Sequence, residues 1–190
     1  MYQRPVLAVI MLVGLALGAA ACSASSSPTT TTTTAARANT PKLLFNEGIK
    51  AQDAGNPVAA RNDYSAVIAL DPQNHAGENL YAYYNLGVID QDSNHLQAAE
   101  TEYATALQIN PKYLNAIYNL AVAETTTSPQ AAVAQYRLLL TLKPRDINST
   151  YNLGLLLYDT GKVAQGRVLL KQAIRLDSAL SAKLPKNVKL

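Results

Sequence analysis

The chain has 190 residues, of which 48 % are hydrophobic, and a net charge of +3 at pH 7. This length allows one domain with a sizeable core or a short array of repeats. The basic residues are scattered along the chain, which argues against nucleic-acid binding. A single cysteine, Cys22, excludes an internal disulfide, and the separated His75 and His95 supply too few ligands for zinc. We therefore expect no metal and no cofactor.

The first residues, MYQRPVLAVIMLVGLALGAAACSASSS, combine a basic start, an apolar run and small residues around Cys22. This layout is typical of a secretory signal. Because Cys22 follows three alanines, the segment resembles the lipobox of bacterial lipoproteins. The resemblance implies a signal peptide at residues 1–21, a palmitate-type lipid on Cys22 and an extracytoplasmic protein anchored to the bacterial cell membrane. There are two alternatives, an ordinary cleaved signal and an uncleaved membrane anchor. For the anchor, the apolar run is at the short end of what spans a bilayer.

Residues 22–40 contain the tract SASSSPTTTTTTAARANT, which is almost free of large apolar side chains. Such a tract buries too little surface to offset the entropy lost on ordering, so it is predicted to be disordered. We interpret it as a Ser/Thr-rich tether, similar to the linkers of actinobacterial lipoproteins.

A short motif then recurs four times, as LFNEG, YYNLG, IYNLA and TYNLG. The motifs end at Gly48, Gly87, Ala121 and Gly154. Each is followed by a small residue (Ala60, Ala99, Ala132, Gly166) and then by a larger one (Tyr64, Tyr103, Tyr136, Leu170). Three of the units close on a proline: Pro72, Pro111 and Pro144. These columns resemble the tetratricopeptide repeat, a helix-turn-helix unit of about 34 residues.

The resemblance implies an all-α fold, a right-handed superhelix of four helix-turn-helix repeats with an extended C-terminal capping helix. The repeats lie at about 41–74, 80–113, 114–146 and 147–178, within a domain at 41–184 that is followed by a tail at 185–190. Gly55, Asn94 and Gly161 mark the turns within units, and the prolines end the second helices.

Two expectations concern the packing of the repeats. Gly87 costs helix stability, so its position needs a packing reason, and we expect it to face Ala99 on the second helix. Asp90 and Glu124 occupy a slot that is usually apolar. We expect them either at the helix edge in water or bonded to a nearby tyrosine hydroxyl, because a buried carboxylate needs a partner.

Three columns of the first helices are predicted to line the concave groove and bind an extended peptide. These residues are Phe45, Asn46, Ile49, Tyr84, Asn85, Val88, Tyr118, Asn119, Val122, Tyr151, Asn152 and Leu155. Each asparagine offers donors and an acceptor to a peptide backbone and is expected to face solvent. The other interpretation is that the asparagines only support helix packing. The groove carries Asp53, Asp92 and Asp159 against Lys42, which argues against a clamp for acidic tails.

The favoured function is a non-catalytic scaffold that binds protein or peptide partners, with a membrane anchor through lipid and without nucleic-acid or small-molecule partners. An enzyme is the second hypothesis, but the chain has no phosphate loop, no HExxH motif and no nucleophile paired with histidine. The third is a self-associating component of an envelope assembly, in which the groove is filled by another copy or by the chain's own tail, LPKNVKL.

Overall fold

A computed structural model describes residues 40–190. Within them, eight α-helices lie at Pro41–Asp53 (α1), Pro57–Leu70 (α2), Asn79–Asp92 (α3), Leu96–Ile109 (α4), Leu114–Thr127 (α5), Pro129–Leu142 (α6), Ile147–Asp159 (α7) and Val163–Leu176 (α8). Consecutive helices pack as pairs, which we call units 1 to 4. The predicted all-helical, four-repeat fold is confirmed. The signal peptide, Cys22 and the tether lie outside the described residues.

The ends of the helices follow local sequence. Proline is the first residue of α1, α2 and α6, where its missing N–H costs no hydrogen bond. The second helices α2, α4 and α6 each end two residues before a proline, as predicted. In the turns within units, Gly55 and Asn94 adopt positive φ angles of 69° and 60°. None of the helices between residues 40 and 190 is long and apolar enough to span a membrane.

Glycine in the first helix makes room for a tyrosine ring of the second helix. A Cβ added at Gly87 would lie 2.6 Å from Cε1 of Tyr103, and one at Gly48 would lie 2.6 Å from the same atom of Tyr64. The nearest group that needs this space is the Tyr103 ring, four residues further along α4 than Ala99, the residue expected to face Gly87.

The same tyrosines join each unit to the next, as the sequence predicts. The fully buried Tyr103 packs with Leu120 of unit 3, and Tyr136 packs with Leu153 of unit 4. The core is thus a series of clusters between neighbouring units, which is how a repeat array buries its apolar faces.

The connection between units 1 and 2, residues 71–78, is longer than the other two connections between units and is organised by a buried aspartate. The carboxylate of Asp71 accepts hydrogen bonds from the backbone N–H groups of His75 (2.9 Å) and Ala76 (2.6 Å). The side-chain amide of Asn79 donates to the Asp71 carbonyl at 2.5 Å. The connection is therefore a folded element.

The C-terminal segment closes the array after unit 4. Helix α8 ends at Leu176, and a separate 3-10 helix follows at Ser178–Lys183. The Asp177 carboxylate accepts from the N–H of Ala179 and so starts this new helix. The predicted capping segment is thus present, but as a second short helix where we expected α8 to continue. Leu180 and Val188 are buried against unit 4.

Candidate peptide-binding groove

The first helices of successive units are joined by bonds between the asparagine and tyrosine columns. The side-chain amide of Asn119 donates to the hydroxyl oxygens of Tyr84 (3.2 Å) and Tyr103 (3.4 Å) of the preceding unit. The amide of Asn152 donates to the hydroxyl oxygen of Tyr118 at 3.0 Å. This repeated contact places the predicted columns of units 2, 3 and 4 side by side on one face. We call this face, together with the same columns of unit 1, the groove.

The expectation that the asparagine column faces solvent is corrected for units 3 and 4. The side chains of Asn119 and Asn152 are partly buried because each is bonded to the tyrosines of the preceding unit. Asn85 also lies against a hydroxyl, that of Tyr64, whereas Asn46 has no preceding unit within residues 40–190 and is exposed. The column therefore has a structural role between units, and whether it also binds a peptide stays a prediction.

The hydroxyls in these bonds remain protonated over a wide pH range. Burial raises the pKa of Tyr84 and of Tyr118, and the hydrogen bonds from Asn119 and Asn152 oppose part of the rise. Burial likewise raises the pKa of Tyr64 to about 12, against the effect of Asn85. The network is thus neutral near pH 7 and insensitive to moderate changes in pH.

The groove holds a polar cavity of about 350 Å³ beside the starts of α5 and α7. Its lining includes the predicted site residues Tyr84, Tyr118 and Asn119, together with Asn115 and Asn148. We call it the amide cavity. Lys143 and Asp146, which also line it, pair with one another at 2.9 Å. The cavity therefore presents mainly amide and hydroxyl groups, which suit a neutral hydrogen-bonding ligand such as a peptide backbone.

A second cavity of about 520 Å³ lies between units 3 and 4, and we call it the 3/4 cavity. Three predicted site residues line it: Val122, Asn152 and Leu155. Its one charged lining residue is Asp159 at the end of α7. Apolar walls with a few polar groups are the usual composition of a binding site.

The two ends of the groove differ from its middle. In unit 1, Asn46 is exposed and Ile49 is 37 % exposed, whereas Phe45 is half-buried against the Tyr64 ring. In unit 4, Tyr151 is only 8 % exposed because Leu180 and Val188 cover it. The prediction that Tyr151 lines an open groove is therefore corrected.

The C-terminal tail lies against unit 4 and contains a turn, in which the N–H of Val188 donates to the Pro185 carbonyl at 2.9 Å. The Tyr158 hydroxyl donates to the carbonyl of Asn187 at 3.2 Å and accepts from the N–H of Lys189 at 3.3 Å. Tyr158 was not among the predicted site residues. The sequence contained one clue to its role, because the equivalent position in the other units carries Gln52, Gln91 and Thr125 and only unit 4 has a tyrosine there.

A row of aromatic rings, also missed, continues across units 1 to 3. The ring of Tyr81 lies 6.1 Å from that of Phe45 and 5.8 Å from that of Tyr113, between centroids. Tyr113 in turn contacts Tyr84 at 5.3 Å. The repeat pattern does not predict this row, because the position of Tyr81 is occupied by asparagine in units 3 and 4.

Comparisons with known proteins agree with this architecture. Residues 80–113 match the family model described as tetratricopeptide repeat. Photosystem I assembly protein Ycf3 of Acaryochloris marina is 30 % identical over 78 residues, which cover 41 % of this chain and 46 % of that protein. The matched segment is therefore less than half the length of this curated relative.

Solved structures resemble the chain over most of its length. A crystal structure of MamA superposes with a TM-score of 0.68 at 24 % identity, covering 80 % of this chain and 86 % of that one. A tetratricopeptide repeat protein from Parabacteroides merdae gives 0.67 at 23 % identity, covering 73 % and 54 %. Such identities establish the fold alone. Together with the match in unit 2, they establish that residues 40–190 have the tetratricopeptide-repeat fold, a fold that supports binding to protein partners.

Proposed function

We propose that this chain is a non-catalytic scaffold that binds an extended polypeptide segment in its groove. The observation that carries the proposal is the clustering of predicted site residues around the amide cavity and the 3/4 cavity. An extended segment exposes backbone N–H and C=O groups that amides and hydroxyls can satisfy. Val88 and Val122, which are half-buried, add apolar surface beside those polar groups.

The asparagine bonds refine how the groove would bind. Since Asn119 and Asn152 are already bonded to tyrosines, their amides hold the shape of the groove. A ligand would use the donors and acceptors that these bonds leave free, and would contact Asn115 and Asn148 at the edge of the amide cavity. A preorganised surface of this kind loses less entropy on binding.

The test is site-specific crosslinking in intact cells. A photoreactive amino acid at Tyr118 should capture a polypeptide partner, and adding Val122→Arg should abolish capture by filling the 3/4 cavity. Val168→Arg is the matched control, since Val168 is 62 % exposed on the second helix of unit 4. Capture that Val122→Arg leaves intact would move the binding surface away from the groove.

We further propose that the scaffold is extracytoplasmic and tethered to the cell membrane through a lipid on Cys22. The support is the lipobox-like sequence alone, which lies outside the described residues. A fatty-acid analogue should label the wild-type chain, and Cys22→Ala should abolish labelling and leave unprocessed precursor. Persistent labelling of that variant would contradict the tether.

Self-association is the second candidate, and the seated tail favours it. Tyr158 binds the backbone of the chain's own residues 187 and 189, so a tail from another copy could use the same contacts. Sedimentation of the full chain in detergent distinguishes self-association from the binding of a different polypeptide. A concentration-dependent dimer that is lost on deletion of residues 185–190 would support tail exchange.

A further inference from the structure

The 3/4 cavity has an equivalent between units 1 and 2. This 1/2 cavity, of about 290 Å³, is bounded by Pro57, the first residue of α2, and by Asp92 at the end of α3. The 3/4 cavity is bounded in the same way by Pro129, the first residue of α6, and by Asp159 at the end of α7. The repeat register thus builds one cavity twice, two units apart.

Each cavity presents one charge, and in both it is a carboxylate. Asp92 and Asp159 are exposed, and neither pairs with a cation among the residues that the structure describes. Neither lining contains a lysine or arginine within residues 40–190. At the intervening position of unit 3 stands Thr126, which is uncharged. These two negative cavities lie on a chain whose net charge is +3.

The tail shows what kind of segment this surface accommodates. Gln52 lines the 1/2 cavity and Thr125 lines the 3/4 cavity, and Tyr158 holds the same position in unit 4. Tyr158 binds the backbone on either side of Val188, the residue that closes a turn with Pro185. The segment that it holds, Leu184 to Leu190, contains two lysines and no acidic residue. A basic segment therefore already occupies the corresponding place at the end of the array.

We propose that the 1/2 and 3/4 cavities receive two basic side chains of one extended partner segment, with Asp92 and Asp159 as their counter-charges. This inference rests on the proposed function, since it names the chemistry of the polypeptide that the groove binds. Helices pack about 8–10 Å apart, so the first helices of units 2 and 4 are separated by about 16–20 Å. An extended chain at about 3.3 Å per residue spans that distance with about six residues. The partner thus carries lysine or arginine about six residues apart.

The probe is a fluorescein-labelled peptide of twelve residues, made of Ser, Asn and Val with lysines at positions 3 and 9. Its affinity for the full chain in non-ionic detergent is measured by fluorescence anisotropy. Two further peptides carry glutamine or glutamate in place of both lysines, and a fourth has the lysines adjacent. Because exposed ion pairs contribute about 0.2–1 kcal/mol, Asp92→Asn and Asp159→Asn should each weaken binding of the lysine peptide about 1.4- to 5-fold.

Together the two changes should weaken binding about 2- to 25-fold, and each should leave the glutamine peptide unaffected. Asp63→Asn, on the second helix of unit 1, is the matched control and should change nothing. Equal affinity of the wild-type chain for the lysine and glutamine peptides would overturn the basic partner and leave polypeptide binding standing. No affinity for any of the peptides would overturn both. Self-association that depends on Asp92 and Asp159, without peptide binding, would assign the cavities to a second copy.

Discussion

The interface between units 1 and 2 and the interface between units 2 and 3 place different charges in the same slot. In the first, Arg61 on α2 donates to Asp90 on α3 at 2.5 and 3.3 Å. In the second, the equivalent residues are Glu100 and Glu124, and one buried oxygen of Glu124 has no hydrogen-bond partner within residues 40–190. One interface is thus held by an ion pair, whereas the other opposes two acids.

The third interface shows a further solution to the same slot. Its equivalent residues are Val133 on α6 and Leu157 on α7, which are buried in one apolar cluster. The repeat therefore fixes where two side chains meet and leaves their chemistry open. Units of identical fold can therefore be joined by contacts with different dependence on pH.

The acid pair makes the middle interface sensitive to pH. Burial, and secondarily the charge of Glu100 on α4, raises the pKa of Glu124 from 4.5 to about 7. Because the pKa is higher in the folded than in the unfolded chain, the contribution of Glu124 to stability is complete below about pH 4.5. It is lost as the pH rises through about 7.

The largest expected effect comes from breaking the ion pair. Arg61→Met leaves the Asp90 side chain, which is 6 % exposed, without its counter-charge. We expect a loss of about 3 kcal/mol in the free energy of unfolding, measured by urea denaturation at pH 7. The double variant Arg61→Met plus Asp90→Leu copies the apolar pair of units 3 and 4 and should recover most of the loss. A single variant as stable as wild type would show that Asp90 needs no partner.

The next substitution is expected to stabilise the chain, because it gives the interface between units 2 and 3 an ion pair like the one between units 1 and 2. Glu100→Arg places a cation beside Glu124, so we expect stabilisation by about 2 kcal/mol at pH 8, where the wild-type pair repels. At pH 4.5, where Glu124 is protonated, the gain should shrink. Urea denaturation at both pH values measures it. Since Glu100 also accepts a hydrogen bond from Thr127, the deciding quantity is the difference between the two pH values, and an equal effect at pH 8 and pH 4.5 would mean that the two side chains do not meet.

A smaller effect tests whether Glu124 itself is the source of the pH dependence. Glu124→Gln removes the titrating group while keeping its shape, and should stabilise the chain by about 1 kcal/mol above pH 7, allowing for solvent screening. It should have no effect near pH 4.5. The measurement is the melting temperature across this range. If the variant keeps the wild-type slope against pH, the source of the dependence is another group.

The smallest effect tests the bonds that connect the first helices. Asn119→Ala removes the donor to Tyr84 and Tyr103, of which Tyr103 keeps its bond to Gln91 at 3.2 Å. We expect a loss of about 1 kcal/mol in the free energy of unfolding at unchanged helicity. Asn46→Ala is the control, because Asn46 is exposed in the first unit. Equal stability of both variants would make the column a purely ligand-facing one.

The fold was predictable because its signals are local and repeated. Gly87, Tyr103 and Pro111 recur in register, and each determines a contact or a helix end within its own unit. The contacts between units were predicted less well. Asp90 and Glu124 were expected in water or beside a tyrosine. Instead, Asp90 pairs with Arg61 and Glu124 is repelled by Glu100, each on the second helix of the preceding unit.

The positions of the candidate site residues on their helices were predicted correctly, but their contacts with other units were not. Tyr118 and Val122 line cavities as expected, since their place on the helix follows from periodicity. The bond from Asn152 to Tyr118 depends on how one unit stacks on another, and the cover over Tyr151 depends on a tail outside the repeats. Neither can be read from the pattern of a single unit.

The folded connection between units 1 and 2 makes the first half of the groove a continuous rigid surface. An unstructured joint of this length would let unit 1 swing, and any segment lying across both units would have to halt that motion at an entropic cost. The hydrogen bonds of Asp71 restrict this motion before any segment binds. The N–H of Ala76 is the main cause that keeps the pKa of Asp71 below its usual range, so the anchor is lost only as the pH falls through that lowered value. At neutral pH the joint behaves as part of the wall and does not act as a hinge.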